Sequence, residues 1–265
     1  MHRRAKCMLI AALLGSVGVS ALAESAAPNP VEPSRPYVPA VSMEVDRRSA
    51  PNDAMPDTIR KGARSGASGL VRCSGAIGTA QLTLRADIIT TAAHVLIGAD
   101  GEPRASCAFQ STAGGAPVPI DARSIRAGSR APLSDPATRD WAIARLARPV
   151  NGVTPYGLAP AGMRPGGVFM IAGGNRRADA IGAENCNARG ILATSPEGVR
   201  EFAIDCSAAP GSSGAALTVG HNVVGIYVGY RSSDPTRAQA FSATHYNFAI
   251  TLEGPFRRAL LAATR

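Results

Sequence analysis

Ile88-Ile89-Thr90-Thr91-Ala92-Ala93-His94-Val95-Leu96 runs from an apolar, β-branched strand through small residues to a histidine. β-Branched side chains at positions 88–91 favour extended backbone. The unperturbed pKa of imidazole suits proton shuttling near neutrality. A lone histidine is as readily structural, so its meaning depends on what the rest of the chain supplies.

Two further segments bear on it. Asp140-Trp141-Ala142-Ile143-Ala144-Arg145-Leu146 places an acid at the head of an alternating strand, where it can end up semi-buried beside an imidazole. Taken alone, such an aspartate reads as a turn or strand-end cap. Asp205-Cys206-Ser207-Ala208-Ala209-Pro210-Gly211-Ser212-Ser213-Gly214-Ala215-Ala216 sets serines between glycines. A nucleophilic serine needs an exposed hydroxyl on a tight turn, with free N–H groups beside it for a developing oxyanion. The bland reading is an ordinary Pro-Gly-Ser-Ser-Gly loop. Position 215 is Ala, so the Gly-x-Ser-x-Gly elbow of α/β-hydrolases is disfavoured.

Outward from these segments, short apolar runs are broken by Gly, Pro and Asp. Expected strands are 69–73, 81–85, 87–91, 105–110, 120–125 and 141–146, then 168–172, 187–193, 200–205, 215–218, 223–228 and 246–250. A connector near Pro149–Pro160 divides them, which leaves the six strands a side expected of two small barrels. From Gly254 the tail reads as a helix, with Pro255 in its first turn and Phe256, Leu260 and Leu261 on one face.

As a set, the three segments resemble the trypsin/chymotrypsin-like serine peptidases. Thr91-Ala92-Ala93-His94 matches that family's histidine motif, Asp140-Trp141-Ala142-Ile143-Ala144 its aspartate strand, and Pro210-Gly211-Ser212-Ser213-Gly214 its serine motif. Cys73-Ser74-Gly75-Ala76-Ile77 looks like the strand before the histidine. The order His, Asp, Ser is that of chymotrypsin. The resemblance runs from about Gly62 to the C-terminal helix and is closest to the bacterial glutamyl endopeptidases.

It implies an all-β fold of two six-stranded antiparallel barrels with a C-terminal helix, residues 62–150 forming the first barrel and 151–265 the second barrel and helix. It also implies a catalytic triad of His94, Asp140 and Ser213, with the N–H groups of Gly211 and Ser213 as the oxyanion hole. Val228, Gly229 and Tyr230 would offer a strand edge to the substrate backbone, with Ser207 and Tyr227 at the specificity positions. Two departures qualify the likeness. Ser212 stands where trypsin-type zymogens keep the acid that pairs with a new N-terminus, so no such insertion switch is expected. Tyr227 stands where glutamyl endopeptidases carry a histidine, and Ser207 is no acid, so the lean is towards uncharged substrate residues.

Composition agrees with this reading. The 265 residues are 45% hydrophobic, enough for one large or two small cores, and only 5% aromatic. Arg3, Arg4 and Lys6, the apolar run Cys7–Val19 and the small-x-small site Ala21-Leu22-Ala23 read as a signal peptide over residues 1–23. The run is too short to span a bilayer comfortably, so no membrane association is expected after cleavage. Without it the formal charge falls from +9 to +6, carried by scattered arginines that suggest no nucleic-acid partner. Residues 24–61, with Pro28, Pro30, Pro33, Pro36 and Pro39, read as a pro-segment or flexible arm without a packed core.

Four cysteines follow the leader: Cys73, Cys107, Cys186 and Cys206. Export to the periplasm or beyond makes disulfides the expectation, with three connectivities open. The pairing Cys73–Cys107 with Cys186–Cys206 keeps each bridge within one half of the chain and is preferred. No Cys-x-x-Cys pair suggests zinc, and nothing suggests an organic cofactor. The expected partner is a protein or peptide substrate. Two rivals are an inactive binding protein on a protease-like scaffold and a basic adhesion module whose working part is the Pro-rich arm.

Overall fold

A computed structural model describes residues 37–39, 66–164, 166–173, 181–233 and 241–265. The expected signal peptide and most of the arm lie outside the described residues. Within the arm, β1 (Tyr37–Pro39) is a strand paired with β13 (Asn222–Ser232).

The first barrel is a closed ring of β2 (Ser68–Cys73), β3 (Ala76–Leu82), β4 (Ile88–Thr91), β5 (Ala108–Ser111), β6 (Val118–Ala127) and β7 (Ala142–Leu146). Its order is β2-β3-β4-β7-β6-β5, with β5 returning to β2. β4 is buried along its length, so Ile88 and Ile89 pack into the core while Thr90 needs an internal partner. The Gln81 amide supplies it, donating to Thr90 Oγ1 at 2.6 Å, as buried hydroxyls require.

The second half contains β8 (Gly157–Leu158), β9 (Gly167–Gly173), β10 (Ile181–Thr194), β11 (Arg200–Ile204), β12 (Ala216–Val219), β13 (Asn222–Ser232) and β14 (His245–Thr251). Pairings β13-β12-β9-β10-β11-β14, with β14 returning to β13, close a second ring of six. β8 and β1 join this sheet through β13.

Two helices complete the fold. α1 (Ala93–Leu96) is a single turn directly after β4, and α2 (Gly254–Ala263) ends the chain. α2 reaches back to the first barrel, where Phe256 stacks on Trp141 with ring centroids 4.9 Å apart and planes 8° from parallel. Such a stacked aromatic pair adds about 1 kcal/mol beyond its area.

Two sequence expectations are corrected. The strand expected over 81–85 is β3, which ends at Leu82 because Leu84 takes a positive φ of 65°. Leu261 is exposed while Phe256 and Leu260 are buried. At 100° per residue Leu260 lies about 40° from Phe256 around the helix, and Leu261 about 140°.

Candidate active site

β4 and α1 bring His94 to the edge of the first barrel, and a single 3-10 turn at Ala137–Arg139 delivers Asp140 beside it. His94 Nδ1 lies 2.7 Å from Asp140 Oδ2, and the His94 backbone N–H donates to Oδ1 at 3.0 Å. One carboxylate therefore holds both the ring and the backbone of the histidine. Asp140 is wholly buried and His94 only 4% exposed. A buried carboxylate with two charge-assisted contacts fixes ring orientation better than an exposed pair would.

The serine segment is a tight turn made by two glycines. Gly211 has φ 94° and Gly214 φ 85°, a region that residues with a Cβ rarely enter. A Cβ on Gly214 would also run into the Thr91 hydroxyl and the Thr79 carbonyl, so the turn approaches the first barrel as closely as backbone can. Ser212 shapes it internally. Its N–H donates to Ala209 O at 2.9 Å and its hydroxyl accepts from Ala209 N–H at 3.0 Å. Gly214 N–H donates to Tyr227 O at 2.8 Å, tying the turn to β13.

Thr79 on β3 is a residue that the sequence reading did not single out. Its hydroxyl donates to Gly211 O at 2.7 Å and its N–H to Ser213 O at 2.8 Å. With both carbonyls turned towards the first barrel, the N–H groups of Gly211 and Ser213 have no acceptor among the described residues. Ser213 Oγ and His94 Nε2 are also buried without a hydrogen-bond partner, and Ser213 is wholly buried.

The expected substrate-contact residues fall into two groups. Ser207 is half-buried and faces an acid that the sequence did not suggest. Glu184 accepts from Ser207 N–H at 2.9 Å, with the Ser207 hydroxyl 3.4 Å from its other oxygen. The disulfide Cys186–Cys206 explains the approach, since it locks β10 beside this segment one residue before Ser207. Tyr227 is buried, and its hydroxyl donates to Asn247 Oδ1 at 3.0 Å, while the Asn247 amide donates to Cys206 O at 2.6 Å. Val228 and Tyr230 have buried side chains, so with Gly229 they offer backbone. One edge of that backbone pairs with β14 and the other with β1. The second disulfide is Cys73–Cys107. Both bridges are those preferred from the sequence, each worth roughly 3–4 kcal/mol if it acts through loop entropy.

The profile of the trypsin-like peptidase domain matches residues 73–226. No match is found among curated proteins. Among solved structures, a Glu endopeptidase in complex with MPD aligns at TM-score 0.58 and 11% identity, over 84% of this chain and 98% of its own. The protease Rv3671c from M. tuberculosis H37Rv, as a Ser-to-Ala mutant in an inactive form, aligns at TM-score 0.56 and 18% identity, over 83% and 98%. A thermostable serine protease, AL20, from an extremophilic microorganism gives 0.54 and 14%, over 77% and 100%. At such identities these likenesses speak for the fold.

Proposed function

Since the chain belongs to the trypsin-like peptidase family, we propose that it is an exported serine endopeptidase acting through Ser213, His94 and Asp140. The carrying observation is the buried Asp140–His94 pair at 2.7 Å, together with Ser213 on a tight turn where the N–H groups of Gly211 and Ser213 have no acceptor among the described residues.

Ser213 Oγ attacks the acyl carbon while His94 Nε2 takes its proton and later returns it to the leaving amine. Asp140 holds the ring so that Nε2 faces the serine, and stabilises the imidazolium. The Gly211 and Ser213 N–H groups receive the oxyanion. Losing one such donor typically costs about 3–4 kcal/mol of transition-state stabilisation. Water hydrolyses the resulting acyl-enzyme. The Ser213–His94 hydrogen bond is absent from this structure, as catalytic contacts often tighten only with substrate in place.

Two disulfides support an oxidising destination, as does the basic, then apolar, start of the chain. For the substrate residue before the cut, Tyr227 sits where glutamyl endopeptidases keep a histidine and its hydroxyl is engaged with Asn247, which favours uncharged side chains.

The test is intact-mass labelling with a fluorophosphonate, beside Ser213→Ala and His94→Ala, followed by peptide-library profiling. One adduct, lost in both variants, is expected. No adduct on the folded protein would favour the inactive binding scaffold. Cleavage restricted to Arg and Lys would overturn the uncharged preference and direct attention to Glu184.

A further inference from the structure

The stretch from Cys206 to Ala215 carries the Ser213 hydroxyl and the N–H groups of Gly211 and Ser213, and its two ends are anchored separately. Downstream, one residue of β13 holds it. Tyr227 N–H donates to Ala215 O at 2.8 Å, and Tyr227 O accepts from Gly214 N–H at 2.8 Å. Upstream, β10 holds it through the Cys186–Cys206 disulfide and through Glu184, which accepts from Ser207 N–H. Residues 207–213 hang between these anchors.

Asn247, on β14, joins the two. Its amide N–H donates to Cys206 O at 2.6 Å, and its Oδ1 accepts from the Tyr227 hydroxyl at 3.0 Å. A carbonyl can only accept, so Cys206 O fixes which way the amide faces and leaves the amide oxygen for the phenol. Both side chains are wholly buried, and Tyr227 packs in an apolar core with Phe202, Ile204, Leu217 and Ala249. Burying an amide there is costly unless it is bonded, and an apolar side chain of similar volume would serve packing as well. What the amide adds is direction, because a satisfied buried network admits one arrangement of the groups it joins.

Resting on the proposed peptidase activity, we infer that Asn247 is a positioning residue for Ser213. It acts through Tyr227 and Cys206 without touching the reacting atoms. By fixing the span between the two anchors, it sets the aim of the Ser213 hydroxyl and of both oxyanion N–H groups. Thr79 grips the turn itself, at Gly211 O and Ser213 O, from the first barrel. Asn247 sets the ends of the same stretch from within the second.

The test compares the wild type with Asn247→Leu, Tyr227→Phe and the double variant, each as the whole chain after its leader. Fluorophosphonate labelling rate, kcat and KM on one cleaved peptide, and thermal melting are measured for all four. Leucine keeps the volume of Asn247 and removes these two hydrogen bonds. Asn247→Leu is expected to label and to turn over peptide on the order of 10- to 100-fold more slowly with KM little changed, since a small misplacement of a reacting group is felt in turnover. Tyr227→Phe should lose kcat in the same sense. If the two side chains act as one bridge, the double variant should be no slower than the slower single variant. Losses that multiply would assign two independent packing roles and overturn the inference. So would an unchanged labelling rate per folded Asn247→Leu molecule, or a raised KM with kcat kept, which would make the bridge a substrate contact. Where Asn247→Leu does not fold, Tyr227→Phe, which removes one hydroxyl, decides alone: an unchanged kcat there sinks the idea. A wild type that does not label would remove the peptidase reading and this inference with it.

Discussion

On the first barrel, Asp140 grips His94 at both ring and backbone, at 2.7 and 3.0 Å. On the second, Ser213 Oγ and the N–H groups of Gly211 and Ser213 have no partner among the described residues. The contrast follows from what each half must do. In the proposed mechanism the base needs its orientation set before substrate arrives, which a built-in, buried partner provides. The proposed nucleophile and oxyanion donors would find their partners on the substrate, so the turn has to hold their directions without satisfying them. Holding falls to the carbonyls instead. Thr79, from the first barrel, takes those of both Gly211 and Ser213, and Gly214 leaves no room between turn and barrel.

The largest effect should come from the wired half. Asp140→Asn preserves shape but can hold the imidazole in the wrong tautomer, and the expected loss in kcat is on the order of 10⁴-fold. A loss below about 10-fold in a folded variant would mean that the His94–Asp140 pair is structural. Thr79→Val should be milder. It keeps the β-branched shape and the N–H to Ser213 O but removes the hydroxyl from Gly211 O. Removing one such bond, worth about 1–2 kcal/mol, should lower kcat roughly 10-fold with KM little changed. Unchanged kcat per folded molecule, with only stability lowered, would make Thr79 a packing residue and leave the turn self-supporting.

These two halves were not equally legible in the sequence. His94 follows an apolar run through small residues, Asp140 heads an apolar strand, and Ser213 lies among glycines and a serine, which are local signals. Gly211 and Gly214 announce a tight turn by type alone. Thr79 carries no such mark, since its partner Gly211 lies 132 residues away and only the packing of the serine turn against the first barrel brings them together. Glu184 is similarly silent, because the disulfide rather than any local pattern sets it against Ser207. β1 was hidden by its own composition. A Tyr-Val-Pro triplet among prolines reads as irregular chain until β13 supplies an edge for it. Leu84 is the reverse case, an apolar residue that extends the apparent strand although its backbone at φ 65° has already left it.

The smallest effect tests whether the second half depends on the C-terminal helix as the first depends on Asp140. Glu253, just before α2, accepts from Arg200 at 2.7 and 2.8 Å, from Thr251 at 2.9 Å and from Gly162 N–H at 2.7 Å. Burial opposes ionisation, but hydrogen bonds from Arg200, Gly162 and Thr251 outweigh it and hold the carboxyl below its ordinary 4.5. A lowered pKa in the folded state adds stability above the unfolded value, and this is lost as pH falls through the folded one. Glu253→Gln should therefore cost about 1 kcal/mol at pH 7, and the gap should close as pH drops below about 4.5. Thermal melts of both proteins across that range read it directly. A gap unchanged into acid would assign Glu253 a packing role. A loss of activity larger than the loss of stability would tie this anchor to the serine turn through β14 and β13.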